Sequence, residues 1–257
     1  MQRKLKSTVE SYTRMGNNDK WLLFLRQMTL TYYGHSCFLV TIGTTKLLFD
    51  PFISPNPLAK DIDINNIEAD YILVSHGHED HVADLVPIAK RTGAKIICAW
   101  EIMVWLKAQG IDNVHPMNTG GSYAFSFGRV KCTLAQHSSG MPDASYGGNP
   151  MGFIVYTGEG NFYYSGDTAL TLDMQLIPRW ANLSFAVLPI GDNFTMDSAD
   201  AAVAAGFAKA STVIGVHYDT FGYIVVDKEA AKKTFEEQGI RLLLPGIGET
   251  VDIPPTP

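Results

Sequence analysis

Four side chains able to bind a metal fall within six residues in Ser75-His76-Gly77-His78-Glu79-Asp80-His81, with the spacing His-x-His-x-Asp-His. Imidazole nitrogen combined with carboxylate oxygen suits zinc, iron, manganese or nickel. The run just upstream, Ala69-Asp70-Tyr71-Ile72-Leu73-Val74, is apolar, β-branched and aromatic and reads as a strand. A buried strand that runs straight into these polar residues leaves them on a loop at a sheet edge, where functional groups collect. No single helix or strand face carries all four, so a sharp turn at Gly77 is expected. A surface loop that is merely rich in His is the bland alternative. Three of the seven histidines in six positions, with an Asp among them, weigh against it.

The same arrangement recurs further along the chain. Val130–Ala135 alternates as a strand and delivers His137; Asn161–Ser165 delivers Asp167; Phe185–Ile190 delivers Asp192; Thr212–Val216 delivers His217. With the motif, five apolar strands each end in a residue of ligand type. Aligned in sheets, their ends would meet at one edge, and gathering so many imidazoles and carboxylates without a cation would be costly in desolvation. Taken singly, His137 or His217 would be no better than a core histidine; together they predict a two-metal site.

The elements that must position these residues can be read in outline. Thr29–Tyr33, Cys37–Val40 and Lys46–Asp50 read as three strands, with His35 in the first turn and Asp50 at the end of the third. His35 is placed near the site. Asp50 is either a turn cap or a carboxylate that orients a ligand histidine. Asp84 is expected to cap a helix that stops at Gly93, and further helices are expected over Trp100–Gln109, Leu172–Trp180, Asp200–Lys209 and from Asp227 to Gly239. Two long loops, Ile53–Asn66 and Met141–Pro150, are expected over the mouth of the site, where they would set the substrate.

Composition bounds the function. The chain has 257 residues, of which 46% are hydrophobic, enough for a substantial core. Its net charge of −6 is uneven: residues 1–28 hold six Lys/Arg against two Asp/Glu (+4), leaving −10 for the rest. An acidic body disfavours a nucleic-acid partner. Cys37, Cys98 and Cys132 form no pair in sequence, which fits buried thiols in a reducing cytoplasm. No apolar run reaches the length of a membrane span. Residues 1–27 read as a basic extension, either loosely ordered or a packing helix, and residues 28–257 as one catalytic domain.

The motif after its strand resembles the signature of the metallo-β-lactamase superfamily. Tyr33-Gly34-His35-Ser36-Cys37-Phe38, His137-Ser138-Ser139-Gly140, Gly147-Gly148-Asn149-Pro150 and Pro189–Met196 narrow the resemblance to a family of uncharacterised metal-dependent hydrolases related to ascorbate-phosphate lactonase. The resemblance spans about residues 28 to 250. It implies an α/β fold of α+β type, a four-layer αββα sandwich of two mixed β-sheets with helices on both outer faces. It also implies that His76, His78 and His137 hold one divalent ion, that Asp80, His81 and His217 hold a second, and that Asp167 bridges them. Zinc is the expected metal, with manganese, iron or nickel as alternatives.

The implied activity is hydrolysis of an ester, lactone or phosphodiester in a small molecule by a hydroxide bridging the two ions, with Asp80 orienting it. His35, Asp192 and Tyr218 are the candidates for moving a proton to the leaving group. A di-iron reductase of the same superfamily would carry Glu in place of His78 and an attached flavin domain. A non-catalytic metal-binding or ligand-sensing module would be expected to have lost some of the seven ligands, and all are present. A homo-oligomer is compatible with the sequence.

Overall fold

The computed structural model describes residues 28–253, so the basic extension expected over residues 1–27 lies outside the described residues. Two seven-stranded sheets make up the fold. The first takes β1 (Thr29–Gly34), β2 (Cys37–Ile42), β3 (Thr45–Phe49), β4 (Tyr71–Leu73), β5 (Lys95–Ala99) and β6 (Val114–Met117). The second takes β7 (Ser122–Phe125), β8 (Gly128–Leu134), β9 (Met151–Thr157), β10 (Gly160–Tyr164), β11 (Phe185–Pro189), β12 (Thr212–Val216) and β13 (Arg241–Leu243). A last strand, β14 (Thr250–Asp252), returns to the first sheet and pairs with β1. Sequence patterning missed it, because three residues with no run of apolar side chains carry no period.

Alternation along the strands builds the layers. In β10, Phe162 and Tyr164 face the core between the sheets, while Tyr163 lies in a second core on the outer face. This is the two-residue period of a strand with both faces buried. Between the sheets, Phe49 stacks on Phe38 with ring centroids 4.5 Å apart and meets Phe162 edge-on at 5.8 Å. Burial of each such ring stabilises the fold by about 2–3 kcal/mol.

Among the described residues, six α-helices accompany the strands: α1 (Glu79–Val82), α2 (Leu85–Thr92), α3 (Trp100–Ala108), α4 (Ile177–Trp180), α5 (Ser198–Ala208) and α6 (Lys228–Glu236). α2 buries Leu85, Ile88 and Ala89, the stripe of an amphipathic helix, and ends at Gly93 in the left-handed conformation. On the other outer face, α5 buries Ala201, Ala202, Ala204, Ala205 and Ala208 against the second sheet. The result is the αββα sandwich.

Two local expectations are corrected. Leu172–Trp180 is not one helix: a 3₁₀ segment over Leu172–Leu176 precedes α4, which starts again with Pro178 in its first turn. Proline inside a continuous helix would remove a hydrogen bond and clash with the preceding turn. Asp84 does not cap α2 through its side chain. Its carboxylate accepts instead from the backbone N–H groups of Ile53 and Ser54, at 2.6 and 2.8 Å, and pins the loop after β3.

Strand direction explains why the polar residues meet. β3 and β4 are parallel, and β1 runs with them because both β1 and β3 are antiparallel to β2. β10, β11 and β12 are parallel, and β8 runs with them because both β8 and β10 are antiparallel to β9. The C-terminal ends of β1, β3 and β4 therefore share one edge of the first sheet, and those of β8, β10, β11 and β12 one edge of the second.

A candidate metal centre at the strand ends

The loop after β4 carries His76 and His78, and the first turns of α1 present Asp80 and His81. Asp167 lies at the centre of what converges on them. Its Oδ2 is 3.0 Å from His217 Nε2, 3.2 Å from His81 Nε2 and 3.8 Å from His137 Nε2. His76 Nε2 and His78 Nδ1 face each other at 3.0 Å. Asp80 Oδ2 is 3.8 Å from His217 Nε2 and 3.0 Å from His35 Nε2. Among the described residues, three groups have ligand atoms all within 4.8 Å of one another: His76, His78 and His137; His35, Asp80, His81 and His217; and Asp50, His76 and His81.

Several of these atoms suit a cation better than they suit each other. His81 Nε2 and Asp167 Oδ1 are buried with no hydrogen-bond partner, which is costly unless something else binds them. Although 3.2 Å separates His81 Nε2 from Asp167, the pair lacks hydrogen-bond alignment. Burial by itself would raise the Asp167 carboxyl, but His217 and His81 hold it well below the usual carboxylate range. Burial would likewise lower the His81 imidazole, yet Asp167 and Asp80 outweigh it and raise the group well above its ordinary value. Desolvation pushes His76 well down. The donor set is carboxylate plus imidazole, and the carboxylates that draw positive charge onto His81 would attract a cation in the same place; the set fits divalent first-row ions.

The support beneath these groups is dense. Asp50 Oδ2 accepts from Ser75 Oγ (2.5 Å), Tyr164 Oη (2.6 Å) and His81 Nδ1 (2.9 Å), while Oδ1 accepts from the Ser75 N–H (2.7 Å). Of the two readings open for Asp50, it is the carboxylate that orients a ligand-type histidine. Three residues at the strand ends, His35 (φ 54°), Asp50 (φ 40°) and His217 (φ 58°), adopt the left-handed conformation, which costs roughly 1–3 kcal/mol each for a residue other than glycine. Hydrogen bonds lock the two histidines across the sheets: the His217 N–H donates to the His35 carbonyl at 2.8 Å, and Tyr32 Oη donates to the same oxygen at 3.0 Å. Gly191 leaves room for this clasp, because a Cβ there would run into the His217 carbonyl.

A family model described as the beta-lactamase superfamily domain matches residues 45–218. A UPF0173 metal-dependent hydrolase of Christiangramia forsetii is 51% identical over 227 residues, spanning 88% of this chain and 100% of that relative. Another from Flavobacterium johnsoniae is 48% identical over 226 residues, with 88% and 100% covered. Among solved structures, Igni18, a metallo hydrolase from the archaeon Ignicoccus hospitalis, matches with a TM-score of 0.80 at 33% identity, covering 89% of this chain and 99% of that one. The chain belongs to the UPF0173 metal-dependent hydrolases of the metallo-β-lactamase superfamily.

In this hydrolase His35 is buried, and burial together with nearby His217 lowers its imidazole to about 4, so the ring is neutral at pH 7. Asp80 requires a donor, which places the proton on Nε2; Nδ1 then accepts from Thr220 Oγ1 at 3.0 Å. His35 therefore orients Asp80 and is walled off from the cavity. Asp192 is exposed, its Oδ1 accepts from the neighbouring Asn193 N–H at 2.7 Å, and it does not line the cavity. Tyr218 is buried against Tyr32, and burial pushes its phenol up to about 12. Of the three, none is among the residues lining the cavity.

The cavity over the centre holds about 770 Å³. His78, Asp80, His137, Asp167 and His217 form its floor. Its walls come from Phe194, Phe221, Gly222 and Tyr223, in the loops after β11 and β12. Neither loop expected over the mouth contributes. The Ile53–Asn66 segment is pinned below by Asp84, and the Met141–Pro150 segment buttresses the motif from behind. There Ser139 Oγ accepts from the Gly77 N–H at 3.0 Å. A Cβ on Gly77 would displace the Met141 side chain, and Gly77 is not in the left-handed conformation, so the sharp turn expected there does not call on glycine's freedom at positive φ. Exposed aromatics just beyond Asp192 and His217 were the available sequence signal for the true walls.

Proposed function

We propose that this protein is a dinuclear hydrolase of small-molecule esters, lactones or phosphodiesters, acting with zinc in the cytoplasm. His76, His78 and His137 hold one ion, Asp80, His81 and His217 the other, and Asp167 serves both. The observation that carries this is the position of Asp167 Oδ2, within 3.8 Å of histidines from both sets. When bound, the ion pair supplies Lewis acidity and a water activated near neutral pH. Asp80, held by His35, accepts a hydrogen bond from the attacking water and orients it. Asp50 fixes the face that His81 presents. The three cysteines, all buried and unpaired, suit a reducing compartment.

The test is elemental analysis of the purified protein together with hydrolysis of an ester, a lactone and bis-p-nitrophenyl phosphate, with and without chelator. Two divalent ions per chain and chelator-sensitive turnover are expected, and Asp167→Ala is expected to lose both. A chain that takes up no metal after supplementation would overturn the proposal in favour of a non-catalytic module.

A further inference from the structure

Resting on that reading, we infer that the substrate is an uncharged carboxylic ester or lactone bearing an apolar acyl or aryl group, and that Phe194 and Tyr223 select it. Phe194 and Tyr223 are 51% and 78% exposed and belong to neither hydrophobic core. They come from loops after different strands, yet their rings meet at 6.3 Å across the cavity mouth. Phe221 continues the wall inward, edge-on to His35 at 5.3 Å. The fold has no packing use for the first two rings, and such apolar surface converging on a reactive floor is a binding wall.

The aromatic wall favours an apolar carboxylic ester over a phosphodiester. Among the described residues that line the cavity there is no Lys or Arg. In a dinuclear site the ions themselves can meet phosphate oxygens, so a phosphodiester would find its charge partners on the floor alone, whereas an apolar acyl or aryl group also gains the wall. Lys228 is the cation nearest in sequence to the wall loop, and it is engaged with Asp219 at 2.8 Å. Ser138 and Thr220 add only neutral hydroxyls to the lining. A cavity of this volume takes a ligand of drug size, with the carbonyl on the floor and the apolar group along the aromatic wall. In the reaction the oxygen of water bonds to the acyl carbon, the bond from that carbon to the ester oxygen breaks, and one water proton ends on that oxygen, giving an acid and an alcohol.

The experiment compares p-nitrophenyl acetate, butyrate and octanoate, dihydrocoumarin and bis-p-nitrophenyl phosphate on the metal-loaded protein, and measures hexanophenone binding by calorimetry as an uncleavable ester mimic. Expected is kcat/KM that rises with acyl length and exceeds that for the phosphodiester. Phe194→Ser and Tyr223→Ser should each lose about tenfold on octanoate, mainly in KM, and a smaller factor on acetate. Both should bind hexanophenone about tenfold more weakly. A preference for the phosphodiester, no gain with chain length, or ketone binding that is absent or indifferent to both variants would overturn this inference while leaving the metal centre standing. Absence of bound metal would overturn the function proposed above and this inference with it.

Discussion

The floor and the wall of the cavity are built on opposite terms. On the floor, Asp50 receives four hydrogen bonds, His81 is wedged between two carboxylates, and His35 and His217 are clamped in strained backbone by each other. On the wall, the side chains of Phe194 and Tyr223 share one ring contact with each other and stand largely in solvent. The difference shows where this fold tolerates change. Reactive geometry is fixed by strand ends that the core over-determines, whereas selectivity sits on loops that can be altered at little cost to stability.

The sharpest way to break that contrast is to empty the floor beneath the ligand-type residues. Asp50→Ala strips the acceptor from Ser75, Tyr164 and His81 together, leaving buried donors unpaired. Losing one partner from a buried ionic network costs about 3–5 kcal/mol, which for a domain of this size lowers Tm by roughly 10 °C. Metal affinity should fall as well, by about 10–100-fold, because His81 loses its orienting partner. Melting by circular dichroism and a chelator competition measure the two effects. A variant that melts within a degree or two of the parent would mean the floor is not over-determined.

His35 gives a finer cut, since it links the floor to Thr220 and the wall loop. Its left-handed backbone tolerates Asn far better than Ala. His35→Asn should therefore keep the fold and weaken metal retention by about tenfold through a less well held Asp80. His35→Ala should add a loss in Tm that His35→Asn does not show. Equal melting temperatures for the two variants would remove backbone strain from the account.

How much of this was legible in the sequence follows the same division. The floor was readable because strand ends are: a run such as Tyr71–Val74 marks itself by apolar period, and whatever follows must lie at a sheet edge. The motif's spacing, His137, Asp167 and His217 were found that way. The tertiary partners were not. Nothing local shows that Tyr164 reaches Asp50, 114 residues away, or that Asp84 pins Ile53 and not its own helix. The wall is not legible from loop length, because the mouth is decided by which strand ends the loops leave, and only the topology gives that.

The smallest effect is the one that tests the wall's independence. The double variant Phe194→Ser/Tyr223→Ser removes two exposed rings whose mutual contact is worth about 0.5–1.5 kcal/mol at most. Surface substitutions away from buried networks ordinarily move stability by less than about 0.5 kcal/mol. The double variant should therefore melt within a degree or two of the parent and keep its full complement of metal. Its selectivity, not its fold, should change. If instead Tm falls by as much as for Asp50→Ala, these rings hold the loops after β11 and β12 against the strand ends, Asp192 and His217 are positioned partly from above, and floor and wall are a single cooperative unit.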